Sequence, residues 1–343
     1  MNHQNSKVAV VVIGRNEGER LNACLSSVVG NAGLVVYVDS ASTDASVALA
    51  RTLCVDVVEL DVTIPFTAAR ARNAGFFRVL ELIPEVCFVQ FLDGDCQLVP
   101  NWISTAKIWL KSHPQTVAVC GRRRECFIDK SLYNRLCDIE WDTPVGAAKS
   151  FGGDALIRAS AFLAAGGFNE SLPAGEEPEL CLRLRNAGGV IDRIPVEMSR
   201  HDASILSFRG WWTRMVRGGY GAGVVSGLWR KKVPRAEVPF RGLARSAMIW
   251  TDIWLLLLLG CVGVGWSIDG VDGALIALLF PFGVWLFQAV RAARFVWSRT
   301  SGRHAFLYGL FTMVGKWAQR LGLWLHFKDA YMGRRRHLIE YKS

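Results

Sequence analysis

Two aspartates one glycine apart, Asp93 and Asp95 in "FVQFLDGDCQLVP", follow directly on an apolar and aromatic run. Like charges this close repel, and neither can follow a buried strand into a core. A strand running into an Asp/Gly turn is one reading of the stretch. The other is a metal and phosphate site at the carboxyl edge of a sheet, where ligands of open α/β sheets bind. Three further stretches bear on the choice. "VVIGRNEGERL" runs a strand into a Gly/Asn/Glu turn, and "YVDSASTDAS" ends a strand at Asp39 with Asp44 beyond. "FGGDALIRASAFLAAGGFNESLPAGEEPELCLRLRNAGG" carries further acidic groups. With its carboxylate at a strand end, each stretch points into one cleft along one sheet edge.

The elements that must hold these groups alternate. "VAVVVIG", "GLVVYVDS", "VDVVEL", "VCFVQFLDGD" and "TVAVCG" read as short, β-branched buried strands. Between them "GERLNACLSSVVG", "TDASVALARTL", "TAARARNAGFFRVLEL" and "PNWISTAKIWLKSH" have helical spacing. The alternation predicts an α/β fold, a Rossmann-like, mainly parallel sheet with helices on both faces. From Gly121 to Asp202 the pattern is irregular and rich in Gly, Glu and Arg.

Over roughly Val8 to Arg217 the chain resembles the family 2 inverting glycosyltransferases of the GT-A fold. "VDSASTD" resembles the family's nucleotide-binding turn, "ARNAG" its arginine–asparagine motif, "LDGDC" its D-x-D and "GGFNESLPAGEEPELCLRLRNAG" its catalytic-base stretch. "CDIEWDTPVG", "HDAS" and "IEYK" are similar to a membrane-attached bacterial subgroup encoded among exopolysaccharide genes.

The resemblance implies a nucleoside-diphosphate sugar donor and assigns roles position by position. Gly14, Arg15, Asn16, Glu17, Asp39, Arg72 and Asp93 would bind the donor nucleotide, Asp39 by accepting from base or ribose. Asp95 would bind the metal of D-x-D, with His201 a candidate further ligand; a surface histidine is the alternative. Oxygen ligands imply a hard divalent cation, Mn2+ or Mg2+, which neutralises the departing diphosphate. Glu177 stands where the family places its base, in a Glu176–Glu177 pair where the family usually writes Glu-Asp. The alternative for "EEPEL" is the acidic first turn of a helix. Gly152, Gly153, Asp154 and Glu176 would line the donor-sugar and acceptor pocket. Trp141 is an acceptor platform or a packed core residue, and Glu179 with Arg183 is a structural helix pair.

Mean hydropathy is +0.23 and the formal net charge +10. The basic residues crowd "RGWWTRMVRGG", "LWRKKVPR", "FRGLAR" and "YMGRRRH", a pattern that suits an anionic membrane face rather than nucleic acid. Nine scattered cysteines without a C-x-x-C pair argue against a disulfide framework or zinc site. No signal peptide is visible at the amino terminus. Two apolar stretches joined by "SIDG" and flanked outside by Lys and Arg predict a membrane hairpin entering from the cytoplasm.

The expected organisation is a GT-A domain over 1–205 and a basic aromatic interfacial segment over 206–242. Two transmembrane helices follow within 243–292 (about 245–266 and 271–290), and an interfacial helix and basic tail occupy 293–343. The stretch 305–327 either lies on the membrane or spans it, and the first reading fits its Lys316 and Arg320 better. The absence of a Q-x-x-R-W motif argues for one sugar per acceptor. A multi-pass protein of the inner membrane follows, catalytic domain and carboxyl terminus in the cytoplasm. Its acceptor would be a polyprenyl-linked saccharide, with membrane lipids as partners and a second copy or other polysaccharide enzymes as candidate partners. Two rivals are a non-catalytic membrane scaffold and a nucleotidyltransferase on a related sheet.

Overall fold

The computed structural model describes residues 8–334; the last basic residues and "IEYK" lie outside the described residues. Two compact units divide the chain, Met1–Ser204 and Ile205–Ser343. The first begins with the alternation β1 (Val8–Gly14), α1 (Glu19–Val28), β2 (Leu34–Asp39), α2 (Ser46–Thr52), β3 (Asp56–Glu59), α3 (Ala68–Leu82) and β4 (Phe88–Asp93). It continues through β5 (Cys96–Leu98), α4 (Trp102–Ser112), β6 (Thr116–Glu125), α5 (Leu132–Glu140) and β7 (Gly146–Ala147). β8 (Ala155–Arg158), α6 (Ala159–Ala164), α7 (Glu176–Asn186) and β9 (Val190–His201) complete it.

β1 can be central because Val8 to Val12 are apolar on both faces and wholly buried. Among the described residues the sheet order is β3-β2-β1-β4-β8-β6-β9-β5, with β7 paired to β9. From β3 to β4 it is parallel, as the strand–helix alternation predicts. Beyond β4 it is mixed: β8 runs antiparallel to β4 and β6, β6 and β9 are parallel, and β5 and β7 run antiparallel to β9. The irregular stretch after Gly121 supplies β7, β8 and β9; β7 and β8 are only two and four residues long, and charged residues hide the strand period of β9.

Register sets the functional edge. Gly14 pairs with Asp39 and Ile13 with Asp93, so three strand ends share one rim. Across β9, His201 pairs with Cys96 and with Glu125. Phe76, Phe91, Phe162 and Phe168 interlock beneath that rim, with ring centroids 4.6–5.4 Å apart. Each such ring contributes about 2–3 kcal/mol on burial.

The second unit is helical: α8 (Phe208–Trp229), α9 (Arg241–Met248), a single π-helical turn (Ile249–Ile253), α10 (Trp254–Ala277), α11 (Leu279–Val296), a 3-10 turn (Trp297–Arg299) and α12 (Gly302–Tyr331). α8 starts at Ser207, whose hydroxyl accepts from Gly210 N–H at 3.2 Å. Its glycines let α12 approach backbone to backbone. A β-carbon at Gly219 would fall on the Gln319 carbonyl oxygen, and one at Gly322 on that of Val216.

The stretch Arg241–Arg299 is long and apolar enough to cross a membrane by length and composition, and little of it is buried. Leu256, Ile268 and Leu279 stand exposed along it. Within α10 the backbone leaves helical geometry at Asp269 and Gly270, inside "SIDG". Gly265 and Gly273 meet across that break, and Trp254 Nε1 donates to the Pro281 carbonyl at 2.9 Å. The apolar run therefore doubles back on itself. Asp252, on the π-helical turn, accepts from Arg320 Nε with both oxygens at 2.9 and 2.8 Å. The charge of Arg320 is thus paired within the helical unit.

Candidate active site

The turns after β1 and β2 are tied together before any ligand arrives. Asn16, at φ 54°, donates its N–H to Ser42 Oγ at 2.9 Å and accepts from Thr43 N–H at 2.7 Å. Gly18 N–H donates to Asp44 at 3.1 Å. Asp39 is buried and accepts from Ser42 N–H at 2.7 Å, Ser42 Oγ at 2.5 Å and Tyr37 Oη at 2.8 Å. Gly14 ends β1 directly against Tyr37. Arg15 is exposed, its guanidinium 5.7 Å from the Phe66 ring centre. Glu17 pairs with Arg20 at 2.9 Å and lays its stem against Gly94 of the "DGD" turn.

A second group surrounds that turn. Asp95 is buried, with Oδ2 3.2 Å from His201 Nε2. Cys96 Sγ lies 3.5 Å from Asp95 Oδ1. The His201 ring stacks on Trp141, centroids 4.8 Å apart, and Arg123 stands 5.7 Å from the Trp141 ring centre. Asp154 is fully buried and accepts from Arg123 Nε at 3.1 Å and Ser199 Oγ at 2.6 Å. Gly153 passes so close to Asp93 that a β-carbon there would overlap Asp93 Oδ2, whereas one at Gly152 would stand 3.5 Å from Arg123. Burial raises the Asp93 carboxyl, but the charges of Arg72 and Arg123 outweigh it and hold the group at about 2. His201 is pushed down to about 4 by burial and by Arg123, so its imidazole is neutral at pH 7.

The third group joins two helices. Gly175, at φ 86°, turns the chain so that Glu176 and Glu177 open α7. The pair is therefore the acidic first turn of a helix and also lines the cleft. Arg72, from the second turn of α3, is 2% exposed. It donates from Nη1 to Glu176 at 2.9 Å and from Nη2 to Asp93 at 2.8 Å, with Glu177 Oε1 3.4 Å from the same Nη2. Burial works against its charge, but Asp93, Glu177 and Glu176 outweigh burial and keep it charged.

Glu177 is pushed up to about 7 by burial and by the Glu176 charge, with Arg72 pulling the other way. Next to Arg72, Asn73 fixes the loop before α7: it donates to Phe168 O at 2.9 Å and Glu170 at 2.8 Å, and accepts from Phe168 N–H at 2.9 Å. Arg183 donates to Glu179 at 2.7 Å and to Gly167 O at 2.8 Å, a structural clamp on that loop.

The donor set suits a divalent cation. Ligand atoms of Asp95, Cys96 and His201 lie within 4.8 Å of one another, as do those of Asp93, Cys96 and Asp154. Two donors on one octahedral ion, each at about 2.1 Å, stand about 3 Å apart, close to the Asp95–His201 spacing. Asp154 Oδ1 and His201 Nδ1 are buried without a hydrogen-bond partner among the described residues.

The structure thus brings Asp93, Asp154, Glu176 and Glu177 together around Arg72 and Arg123, with Asp95, His201 and Trp141 adjoining. Gly14, Asn16, Glu17 and Asp39 form the neighbouring turn pair, and Arg15 sits at its exposed rim. Arg123, Ser199 and Cys96 are members that sequence reasoning missed. Cys96 adjoins the D-x-D itself, and Arg123 is marked only by the run "RRRE".

Residues 9–149 match the model of glycosyl transferase family 2. A mannosyltransferase from Pyrobaculum calidifontis, solved with GDP-Man and Mn2+, is 17% identical. The match covers 90% of this chain and 87% of that one at a TM-score of 0.58. TarS 1–349 of S. aureus in complex with UDP-GlcNAc is 11% identical, with 96% and 93% covered and a TM-score of 0.51. A comparison with curated proteins finds no match. The rim of three strand ends and the D-x-D turn on it lie within the residues, 9–149, that match the glycosyl transferase family 2 model, and the fold they build is that of the GT-A glycosyltransferases.

Proposed function

We propose that the enzyme transfers one sugar from a nucleoside diphosphate to an acceptor hydroxyl with inversion at the anomeric carbon, using Mn2+ or Mg2+. The observation that carries this reading is the joint approach of Asp93 and Glu177 to one Arg72 nitrogen, at 2.8 and 3.4 Å. It puts a carboxylate of the D-x-D turn and a carboxylate poised near neutrality in the same cleft.

Asp95 and His201 would hold the cation, which when bound neutralises charge on the leaving diphosphate. Glu177 accepts the acceptor's hydroxyl proton as that oxygen bonds to the anomeric carbon and the bond to the diphosphate oxygen breaks. A general base works best with a value near the working pH, and Glu177 at about 7 meets that demand. The Gly152–Gly153 backbone would face the donor sugar, with the buried Asp154 fixed behind it by Arg123 and Ser199, and Trp141 would offer an aromatic face to the acceptor. The Asn16–Ser42–Asp39 turn pair receives the nucleotide.

The apolar stretch Arg241–Arg299 supports a membrane-bound enzyme with a lipid-linked saccharide as acceptor, in cell-surface or exopolysaccharide synthesis at the inner membrane. Holding the enzyme at the membrane raises its effective concentration toward such an acceptor. Full-length protein incubated with UDP- and GDP-sugars and a membrane lipid extract should release nucleoside diphosphate and label a lipid. Release of pyrophosphate, or an active Glu177→Gln variant, would count against the reading.

A further inference from the structure

We propose that Arg72 is a positioning residue that holds the base Glu177 and links it to Asp93, with Glu176 as the guanidinium's other anchor. The inference deepens the reading of Glu177 as general base and rests on it. Arg72 is out of solvent, and the Phe168 ring lies 5.3 Å from its Cζ. Its fork is divided: Nη1 serves Glu176 at 2.9 Å, while Nη2 serves Asp93 at 2.8 Å and approaches Glu177 at 3.4 Å. The long contact attracts Glu177 without consuming its lone pairs, so an acceptor hydroxyl still finds a free oxygen. The short contact ties the same guanidinium to the carboxylate of the D-x-D turn. Only a planar, multi-donor cation reaches all three carboxylates at once.

The groups facing Glu177 are Glu176 and Cys181 on α7, Arg72 on α3, Asp93 at the end of β4 and Arg123 on β6. Among them Glu176 and Arg72 act on Glu177 in opposite directions. Removing one charge should therefore move the enzyme's pH dependence one way, and removing the other should move it back. A residue that merely supports the fold would lower activity alike at every pH.

The test uses full-length enzyme in detergent and the UDP- or GDP-sugar that supports turnover, with kcat/KM measured from pH 5 to 9. Arg72→Gln should move the rising limb to higher pH by about one pH unit or more, and Glu176→Gln should move it to lower pH. Arg72→Lys, which keeps the charge but not the fork, should leave the limb near its wild-type position while kcat drops about tenfold or more. Limbs that do not move, or that move the same way in Arg72→Gln and Glu176→Gln, overturn the proposal. Should Arg72→Gln fail to fold, Glu176→Gln decides alone, because it retains the Arg72–Asp93 pair. The base reading fails separately, when Glu177→Gln keeps both its activity and the wild-type limb.

Discussion

Gly153 lies flat against the carboxylate of Asp93, with no room between them for a methyl group. A β-carbon there would also stand 3.1 Å from Arg123 Nη2. Gly153→Ala should push Asp93 off Arg72 and lower kcat/KM by about 100-fold, the usual result of misplacing a reacting group by about 1 Å. Gly152→Ala meets only the end of a flexible arginine and should cost less than about fivefold. Steady-state kinetics on the two variants, with circular dichroism to confirm folding, checks the contrast.

The value of about 7 at Glu177 predicts the shape of the pH profile. As the proposed base, Glu177 must be ionised to accept a proton, so kcat/KM should rise through about pH 7 and level off above it. The sign for stability is opposite. A folded-state value above the ordinary 4.5 means that the native protein binds this proton more tightly. The stabilisation is complete below about 4.5 and is lost as pH rises through about 7. Glu177→Gln should then be more stable than wild type at pH 8, on the order of 2–3 kcal/mol, and equal to it near pH 4.5. Thermal unfolding at both pH values decides the matter.

Asp95 and His201 make a prediction about ions. Asp95→Ala should lose Mn2+-dependent binding of nucleoside diphosphate, as read by calorimetry with and without EDTA, and His201→Ala should weaken it about tenfold or more. Binding that is unchanged by EDTA in wild type would remove both residues from the role of ligands.

In the helical unit the seam between α8 and α12 gives a contrast of sign. A methyl at Gly219 would strike the Gln319 carbonyl, while nothing lies within 4 Å of one at Gly218. Gly219→Ala should therefore destabilise the unit by about 1–3 kcal/mol. Gly218→Ala should be neutral or slightly stabilising, since alanine is the better helix former. Thermal unfolding in detergent compares the two.

The parallel half of the sheet was legible because β1, β2 and β4 are buried on both faces and read as continuous apolar runs, with the half-exposed edge strand β3 given by its Val57–Val58 pair. The mixed half was not. β6 ends in "GRRRE" and β9 reads "VIDRIPVEMSRH", where side chains pair with one another rather than with an apolar layer. Arg122 and Arg124 both reach Asp138, and Arg193 reaches Asp142. These partners come from α5 and the loop after it, and sequence spacing carries no trace of them. The D-x-D and the Glu176–Glu177 pair could be read from local motifs. The place of Arg72 could not, because its meaning depends on Glu176, 104 residues away. Sequence also carried no sign that Asp39 is pre-oriented by two hydrogen bonds from Ser42 and one from Tyr37 of its own strand.

Five carboxylates, Asp93, Asp95, Asp154, Glu176 and Glu177, share the cleft with two guanidiniums, Arg72 and Arg123, and a neutral His201. An unloaded cleft of that composition is acidic on balance and repels a diphosphate. A cation held at Asp95 and His201, as proposed, would shift the balance toward attraction, and a bound diphosphate would in turn make the cleft a better trap for the cation. Each partner must tighten the other's binding by the same factor. On the proposed reading, donor and metal therefore load as one thermodynamic event, and a sugar nucleotide without its cation is a poor competitor for the site.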